Sequence, residues 1–205
     1  MTTDMTEPEV LAALKEAGAI LEGHFVLTSG RHSDRYVQCA RILEDPALTT
    51  RLAQAAVHRI ADLRVDLVAA PAVGGIIIGF AVAQALGVRF IFSERQDGAM
   101  TFRRGFEVLE GARVLVVEDV VTTGGSVAEV VGLVRAAGGE PLAAVSIIDR
   151  GGVKSFDVPL IPLLRLEVES WDASECGLCR SGVPTYSPGS RRIGSWGIAN
   201  PAGQG

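Results

Sequence analysis

Cysteine is scarce in this sequence, with 3 in 205 residues, and two of the three lie close together as Cys176 and Cys179. So few cysteines cannot form the disulfide framework that stabilises many small secreted domains. The first residues, M-T-T-D-M-T-E-P-E, are acidic and polar, and they lack the basic start and apolar run of a signal peptide. We therefore expect a cytoplasmic protein.

An excess of positive charge is also lacking. The formal net charge is -5 at pH 7, and the basic residues are scattered rather than clustered. Proteins that bind nucleic acid normally present a basic patch to the phosphates. We therefore expect no nucleic-acid partner, and an anionic substrate would have to be held by individually placed arginines.

Long hydrophobic runs are limited to one stretch, residues 67–88, which contains no charged residue. Its length would pass a simple count for a transmembrane helix. One proline and several glycines interrupt it, at Pro71, Gly74, Gly75 and Gly79. The pattern therefore favours a strand, a glycine-containing loop and a buried helix that ends at Gly87, and we expect no membrane span.

The remaining composition is that of a globular protein, with 48% hydrophobic and 21% charged residues. This is enough for a substantial core, and we expect one domain over residues 1–205. Apolar strands alternate with helical patterns along the chain, which is typical of an α/β sheet. Strands are predicted at 66–70, 88–92, 114–117, 142–148 and 160–168, and helices at 7–17, from 45 onward, at 76–86 and from 124 onward.

The most informative stretch is V-L-V-V-E-D-V-V-T-T-G-G-S-V, residues 114–127. Its apolar start predicts a buried parallel strand with Glu118 and Asp119 at the carboxyl end, followed by a helix that opens at residues 124–126. Open α/β sheets bind ligands at this edge, beside a helix N-terminus that favours an anion. The acids can accept from hydroxyls, and the loop offers donors to a phosphate. The sequence therefore predicts a ligand with both a diol and a phosphate.

E-D-V-V-T-T-G-G-S resembles the phosphoribosyl-pyrophosphate motif of type I phosphoribosyltransferases. The resemblance implies that Glu118 and Asp119 hold the ribose hydroxyls and that the next residues wrap the 5′-phosphate. The residues that wrap the phosphate are Thr122, Thr123, Gly124, Gly125 and Ser126, and the intervening Val120 and Val121 also belong to the expected phosphoribosyl-pyrophosphate site. It also implies that the backbone of Ala72, Val73 and Gly74 faces the pyrophosphate. The implied fold is a mainly parallel sheet flanked by helices, with a core at about 45–168 and a small hood formed by residues 1–40 and the C-terminal segment.

The stretch H-F-V-L-T-S-G-R-H-S-D-R-Y, residues 24–36, resembles the hood of the orotate phosphoribosyltransferases. In all, the resemblance covers residues 20–152. It implies transfer of ribose 5-phosphate from phosphoribosyl pyrophosphate to orotate, giving orotidine 5′-monophosphate and pyrophosphate on the route to UMP. Thr28 stands where this family often has Lys, and Thr28, Thr122 and Arg150 are candidates for binding orotate. Arg150 matches an arginine that contacts the orotate carboxylate, although it could instead form a structural bridge to Glu118 or Asp119.

Residues 93–106 show no hydrophobic period, and their polar content with Gly98 suggests a mobile loop. The loop carries Arg95, Arg103 and Arg104, which with Asp119 are our candidate catalytic residues. After it, F-E-V-L-E-G is hairpin-like. The resemblance implies Mg²⁺ bound with the pyrophosphate substrate, and a homodimer in which this loop reaches the partner's site.

Other interpretations remain open at this point. V-L-V-V-E-D also resembles the first strand of a response-regulator receiver, but too few residues follow it. A purine phosphoribosyltransferase, or a regulator of the same fold that only binds a nucleotide, is a further possibility. Cys176 and Cys179 have half a zinc site's spacing, and ligands could come from two subunits. Because His24, His32 and His58 are all distant in sequence, we expect a tight turn with two thiols and no metal ligated by side chains.

Overall fold

The computed structural model describes residues 4–27, 29–152 and 156–187. The chain forms two compact units: one runs up to Leu21 and from Val37 to Val168, and the other contains Glu22–Tyr36 and the chain from Glu169 onward. The expected single domain, with its hood and core boundaries, stays a prediction.

The first unit is built on a six-stranded sheet, and two further strands pair in a small sheet of their own. The strands are β1 (Ile20–Val26), β2 (His32–Val37), β3 (Leu67–Pro71), β4 (Arg89–Gln96), β5 (Ala99–Phe102), β6 (Arg113–Val121), β7 (Glu140–Asp149) and β8 (Leu160–Arg165). The helices are α1 (Glu7–Glu16), α2 (Ala40–Leu43), α3 (Pro46–Arg59), α4 (Gly75–Leu86), α5 (Gly125–Ala136) and α6 (Gly177–Arg180).

The order of the large sheet is β5-β4-β3-β6-β7-β8. Its neighbouring strands are parallel, except that β4 and β5 are antiparallel. The mainly parallel central sheet predicted from the sequence is therefore confirmed. The α/β alternation produces it because a parallel strand must be followed by a crossover, here a helix, before the next strand can pair.

Helices cover both faces of this sheet. Leu115 and Val117 of β6 belong to the apolar cluster that includes α3 and α4, whereas Val114 and Val116 belong to the cluster that includes α5. All four side chains are fully buried. Successive residues of a strand point to opposite faces, so a run of apolar residues without alternation fits a strand covered on both sides.

The predicted helix starts are confirmed by their caps. Asp45 accepts hydrogen bonds from the N–H groups of Ala47 and Leu48, at 2.8 and 3.2 Å, at the start of α3. Before α1, the Glu9 carboxylate accepts from the Thr6 N–H at 2.8 Å. Such contacts satisfy N–H groups that have no partner within the helix, and an N-cap side chain such as Asp45 typically contributes about 1 kcal/mol.

The uncharged run at residues 67–88 divides as predicted. It forms β3, a short turn and α4, and α4 ends at Gly87 with φ of 71°. Among the described residues, no helix combines the length and apolar character needed to cross a membrane.

The sequence predictions for three segments away from the acids are wrong. Residues 93–102 do not form an irregular loop but lie in the antiparallel pair β4–β5, which turns at Asp97 and Gly98. The segment F-E-V-L-E-G forms no strand. The second extended piece ends earlier than predicted, because Ala40 begins α2. In the first case, the side chains of Ser93 and Met100 are buried, although the polar content of the segment suggested a loop.

Candidate active site

The two acids lie within β6 rather than at its end, because the strand continues to Val121. Pairing with β3 stops at Val116, whereas pairing with β7 continues to Val121. Glu118 and Asp119 therefore extend beyond the residues that pair with β3, and this opens one side of the sheet edge at the acids.

The loop of residues 72–74 lies directly against this opening. A Cβ atom added to Gly74 would lie 2.7 Å from both carboxylate oxygens of Asp119. One added to Gly75 would lie 2.9 Å from the Val117 carbonyl oxygen and 3.2 Å from Glu118 Oε1. Real Cβ atoms essentially never approach within 3.0 Å, so a side chain at either position would force the Asp119 carboxylate or the Val117 backbone to shift.

The loop after β6 places donors beside the same acids. Thr122 and Thr123 are exposed, and Gly124 adopts a left-handed conformation with φ of 81° at the N-cap of α5. Gly124 has no side chain that could accept from the first N–H groups of the helix. These groups and the positive end of the helix dipole are therefore suited to an anion such as a phosphate.

The loop after β7 reaches the same edge. The Arg150 N–H donates to the Val121 carbonyl oxygen at 2.9 Å. A Cβ atom on Gly152 would lie 2.7 Å from the Thr122 carbonyl oxygen, so the two loops touch. The sequence patterns did not single out Gly152, although a glycine two residues after a candidate arginine was a usable signal of close backbone approach.

Burial sets the charge of the acidic pair. Glu118 is 8% exposed, and its burial followed by the nearby Asp119 carboxylate raises the pKa of Glu118 well above the usual range. Glu118 Oε1 accepts from the Asp119 N–H at 3.1 Å, and Asp119 Oδ1 accepts from the Val120 N–H at 2.7 Å. At neutral pH the pair therefore carries less than two full negative charges, which suits contact with neutral ribose hydroxyls.

The buried thiol of Cys39 reports on the same group of charges. Burial first, and then Asp119 and Glu118, raise the pKa of Cys39, while Arg150 lowers it. Each of these charges is therefore close enough to Cys39 to act on its thiol. The Arg150 backbone reaches Val121, so the structure brings Arg150 to the end of the strand that carries Glu118 and Asp119.

The three candidate arginines lie on or beside the β4–β5 hairpin. Arg95 donates to the Gly98 carbonyl oxygen at 2.6 Å and to Glu129 at 2.8 Å. Arg104 forms two hydrogen bonds of 2.8 Å to Glu94 and lies 5.8 Å from the centre of the Phe92 ring. Arg103 is exposed. Their catalytic roles stay predictions, as does the orotate contact of Thr28, which lies outside the described residues.

The architecture of this sheet with its three loops is that of a type I phosphoribosyltransferase. The family model described as "Phosphoribosyl transferase domain" matches residues 39–158. The orotate phosphoribosyltransferase of Heliobacterium modesticaldum is 50% identical over 193 residues, which are 91% of this chain and 100% of that protein. That of Caldanaerobacter subterraneus is 45% identical over 190 residues, covering 92% and 100%.

Solved structures agree with these relatives. The crystal structure of the Aeropyrum pernix orotate phosphoribosyltransferase superposes with a TM-score of 0.67 at 28% identity, covering 77% of this chain and 94% of that one. An adenine phosphoribosyltransferase from Thermoanaerobacter pseudethanolicus, at 23% identity and a TM-score of 0.59, shares the fold. The chain belongs to the phosphoribosyltransferase family, among its orotate phosphoribosyltransferases.

Proposed function

We propose that this protein transfers ribose 5-phosphate from phosphoribosyl pyrophosphate to orotate, giving orotidine 5′-monophosphate and pyrophosphate. The observation that carries the proposal is the meeting at one sheet edge of the loop 72–74, the acids of β6 and the N-terminus of α5. Together they offer backbone donors to one phosphate group, acceptors to a diol and further donors to a second phosphate. The relatives at 45–50% identity support orotate as the base.

Each part of the site then has a role in the reaction. Asp119 and Glu118 hold the ribose hydroxyls, the segment 122–126 holds the 5′-phosphate, and the backbone of residues 72–74 faces the pyrophosphate. As the C1′–O bond to pyrophosphate breaks, positive charge grows on the ribose, and orotate N1 forms the new bond from the opposite face. Arg150 binds the orotate carboxylate through its planar guanidinium. No side-chain nucleophile is required.

The leaving pyrophosphate carries the charge that most needs neutralising. Arg103 and Arg104, which follow β5, are the protein groups that we assign to this task. Stabilising a leaving group in this way is typically worth several kcal/mol of barrier, roughly a hundredfold or more in rate.

The residues at this sheet edge suit Mg²⁺ that is bound mainly by the substrate rather than by the protein alone. Mg²⁺ prefers oxygen ligands and keeps many of its own waters. The burial that favours the protonated form of Glu118 makes that group a poor ligand, whereas Asp119 is partly exposed. The phosphate and ribose oxygens of the substrate would hold the ion, with Asp119 as the protein carboxylate beside it. When bound, Mg²⁺ would neutralise pyrophosphate charge.

A homodimer is part of the proposal. It is supported by large apolar side chains that lie exposed close to one another in sequence on the loop and the first turns of α4: Val73 is 81%, Ile77 50% and Phe80 58% exposed. Exposed apolar groups of this size mark surfaces that another protein covers. Light scattering at micromolar concentration should give twice the chain mass. The cytoplasmic location stays a prediction.

The decisive experiment incubates the full chain with Mg²⁺, phosphoribosyl pyrophosphate and each of orotate, uracil, adenine and hypoxanthine in turn. Pyrophosphate release with orotate alone is the expected result. Release with a purine and none with orotate would replace the proposal by a purine phosphoribosyltransferase. If the protein binds phosphoribosyl pyrophosphate but releases no pyrophosphate with any base, a regulatory function is indicated instead.

A further inference from the structure

Four side chains of the kinds that bind transition metals meet in the second unit, away from the acids of β6 in sequence. They are His24 on β1, His32 at the start of β2, and Cys176 and Cys179 around α6. One ligand atom from each lies within 4.8 Å of all the others. The histidines that seemed too distant in sequence to join the cysteine pair are therefore next to it.

Three of the separations between ligand atoms are close to those of a tetrahedral cage, while the widest pair of the group, at up to 4.8 Å, would have to come closer. His24 Nε2 lies 3.4 Å from Cys176 Sγ and 3.7 Å from Cys179 Sγ, and His32 Nδ1 lies 3.3 Å from Cys179 Sγ. Around Zn²⁺, with Zn–S of about 2.3 Å and Zn–N of about 2.05 Å, tetrahedral angles put N and S about 3.6 Å apart. The two nitrogens, at 2.8 Å, would have to separate by about half an ångström.

The orientation of His24 is a second, independent observation. Its Nδ1 lies 2.7 Å from the Val183 carbonyl oxygen, which can only accept, so Nδ1 carries the proton and donates. A neutral imidazole protonated on Nδ1 presents the bare lone pair of Nε2, and this is the atom that faces the cysteines and His32. A backbone carbonyl that fixes the tautomer of a ligating histidine is the usual support of a metal site.

Burial shields three of the four side chains from water, whereas Cys179 is exposed. His24 is 3%, His32 7% and Cys176 0% exposed. The polar atoms of the cluster contact one another, as in the 2.8 Å separation between His24 Nε2 and His32 Nδ1, and buried polar groups need such partners. A bound cation would use the lone pairs of all four groups at once.

The second unit also needs a stabilising element of this kind. It has about 50 residues, and none of the residues from Glu22 to Tyr36 or beyond Glu169 belongs to either large apolar cluster of the described chain. Phe25 is the main apolar side chain buried within its described part. Domains of fewer than about 70 residues commonly depend on disulfides or a structural metal, and the cysteines here are free.

We propose that His24, His32, Cys176 and Cys179 bind one structural Zn²⁺, which ties the segment around α6 to the β1–β2 hairpin. Two thiolates and two imidazoles form a donor set that suits Zn²⁺ rather than Mg²⁺ or Ca²⁺. Four protein ligands leave no open position for water or substrate, so the ion stabilises the fold and takes no part in the transfer reaction.

Metal content tests the proposal directly. The full chain, purified without chelators or a metal-affinity tag, should contain about one zinc per chain by mass spectrometry. Cys176→Ser and His32→Asn should each lower this to about 0.1 or less, while Cys39→Ser and His58→Asn should keep it near one. Cys39 is a buried cysteine and His58 an exposed histidine, and both lie outside the cluster. Zinc that persists in the cluster variants, or its absence from the wild type, overturns the proposal.

Cobalt spectroscopy gives an answer even if the variants fail to fold. Wild-type protein reconstituted with Co²⁺ should show the intense d–d bands of a tetrahedral site and thiolate-to-cobalt charge transfer. A cluster held only by a hydrogen bond between the two imidazoles would give neither signal, and that outcome also rejects the site.

A third measurement links the ion to the segment it holds. Chelation should accelerate tryptic cleavage after Arg180, the last residue of α6, and added zinc should reverse the effect. An unchanged cleavage rate in protein shown to have lost its zinc would contradict the structural role.

Discussion

Asp119 combines partial exposure with a position against the loop that would face pyrophosphate. We expect Asp119→Asn to preserve the fold, because the remaining amide oxygen can still accept from the Val120 N–H. Loss of the charge that faces the ribose should remove roughly 1.5 to 3 kcal/mol, or about ten- to a hundredfold in kcat/KM. Steady-state kinetics on both substrates check this, with circular dichroism as the control for folding. An unchanged kcat/KM would exclude the assigned role.

Glu118 gives a prediction for stability against pH. Its carboxyl pKa is higher in the folded state than in the unfolded chain, so the folded state retains the proton over a wider range. The contribution of Glu118 to the free energy of unfolding is therefore fully present below the unfolded pKa of about 4.3. It is lost as the pH rises toward the raised folded pKa.

Glu118→Gln removes this dependence. The variant should melt at a higher temperature than wild type at pH 8, by about 2–4 °C per kcal/mol recovered, and the difference should shrink toward pH 5. Thermal melts across this range, without substrates, measure it. A difference that grows as the pH falls would mean that Glu118 is ionised in the folded protein.

Arg150 is assigned to binding orotate rather than phosphoribosyl pyrophosphate. We expect Arg150→Ala to raise the KM for orotate by at least about tenfold while the KM for phosphoribosyl pyrophosphate changes little, because a charged hydrogen bond is worth roughly 1.5–3 kcal/mol. Arg135→Ala, at an exposed arginine that pairs with Asp157, is the matched control and should change neither. If both KM values rise together in Arg150→Ala, the residue is a structural bridge.

At the scale of elements, the close contact between the start of α4 and β6 is specific to glycine. In Gly74→Ala the new methyl group would displace the Asp119 carboxylate, which is short and held by the Val120 N–H. We expect kcat/KM for phosphoribosyl pyrophosphate to fall at least about tenfold, equivalent to about 1.4 kcal/mol of transition-state stabilisation. The same kinetic assay with saturating orotate measures it.

Gly132 provides the control for that substitution. It lies exposed in α5, and a Cβ atom added there would have no atom within 4 Å, so Gly132→Ala should leave activity unchanged. It should also stabilise the helix by up to about 1 kcal/mol. Equal activity in the two variants would show that Gly74 does not need to be glycine.

The hairpin β4–β5 shows where an element-scale prediction failed. Ser93 to Phe102 is largely polar and has no hydrophobic period, a pattern that favours a loop. In the structure, Met100 is buried and its N–H is 3.3 Å from Glu129 of α5. Because Glu129 lies on a helix far along the sequence from Met100, no local sequence pattern could predict this contact. The segment that lacks both helix and strand begins only at Arg103.

At the scale of the whole molecule, the proposed dimer places Arg103 and Arg104 in the partner's site. Chains carrying Asp119→Asn, and chains carrying Arg103→Ala with Arg104→Ala, should each be nearly inactive alone. In a mixed dimer, one of the two sites combines an unchanged Asp119 with an unchanged Arg103 and Arg104. About half of randomly paired dimers are mixed. Activity should therefore recover to as much as about a quarter of wild type after mixing and reassociation.

The control for this experiment is a mass measurement on differently tagged chains, which verifies that mixed dimers form. Verified mixed dimers without recovered activity would show that the arginines act within their own chain or are not catalytic. Recovery in the absence of mixed dimers would point to one parent being only partly inactivated.

The sequence by itself determined the features whose cause is local. The strand–acid–loop–helix order of residues 113–136 follows from apolar runs and glycines within one stretch, and the helix starts at Thr6 and Asp45 follow from caps a few residues long. The family could be inferred because its ribose and phosphate contacts are concentrated in that same stretch.

Only the tertiary structure decided which distant residues meet. Sheet order placed Gly74 against Asp119 and Arg150 beside Val121, and the pairing of β1 with β2 and the fold of the segment around α6 brought His24 and His32 to a cysteine pair some 150 residues later. Spacing along the chain carries no information on such meetings, because they depend on long-range packing that many sequences can satisfy.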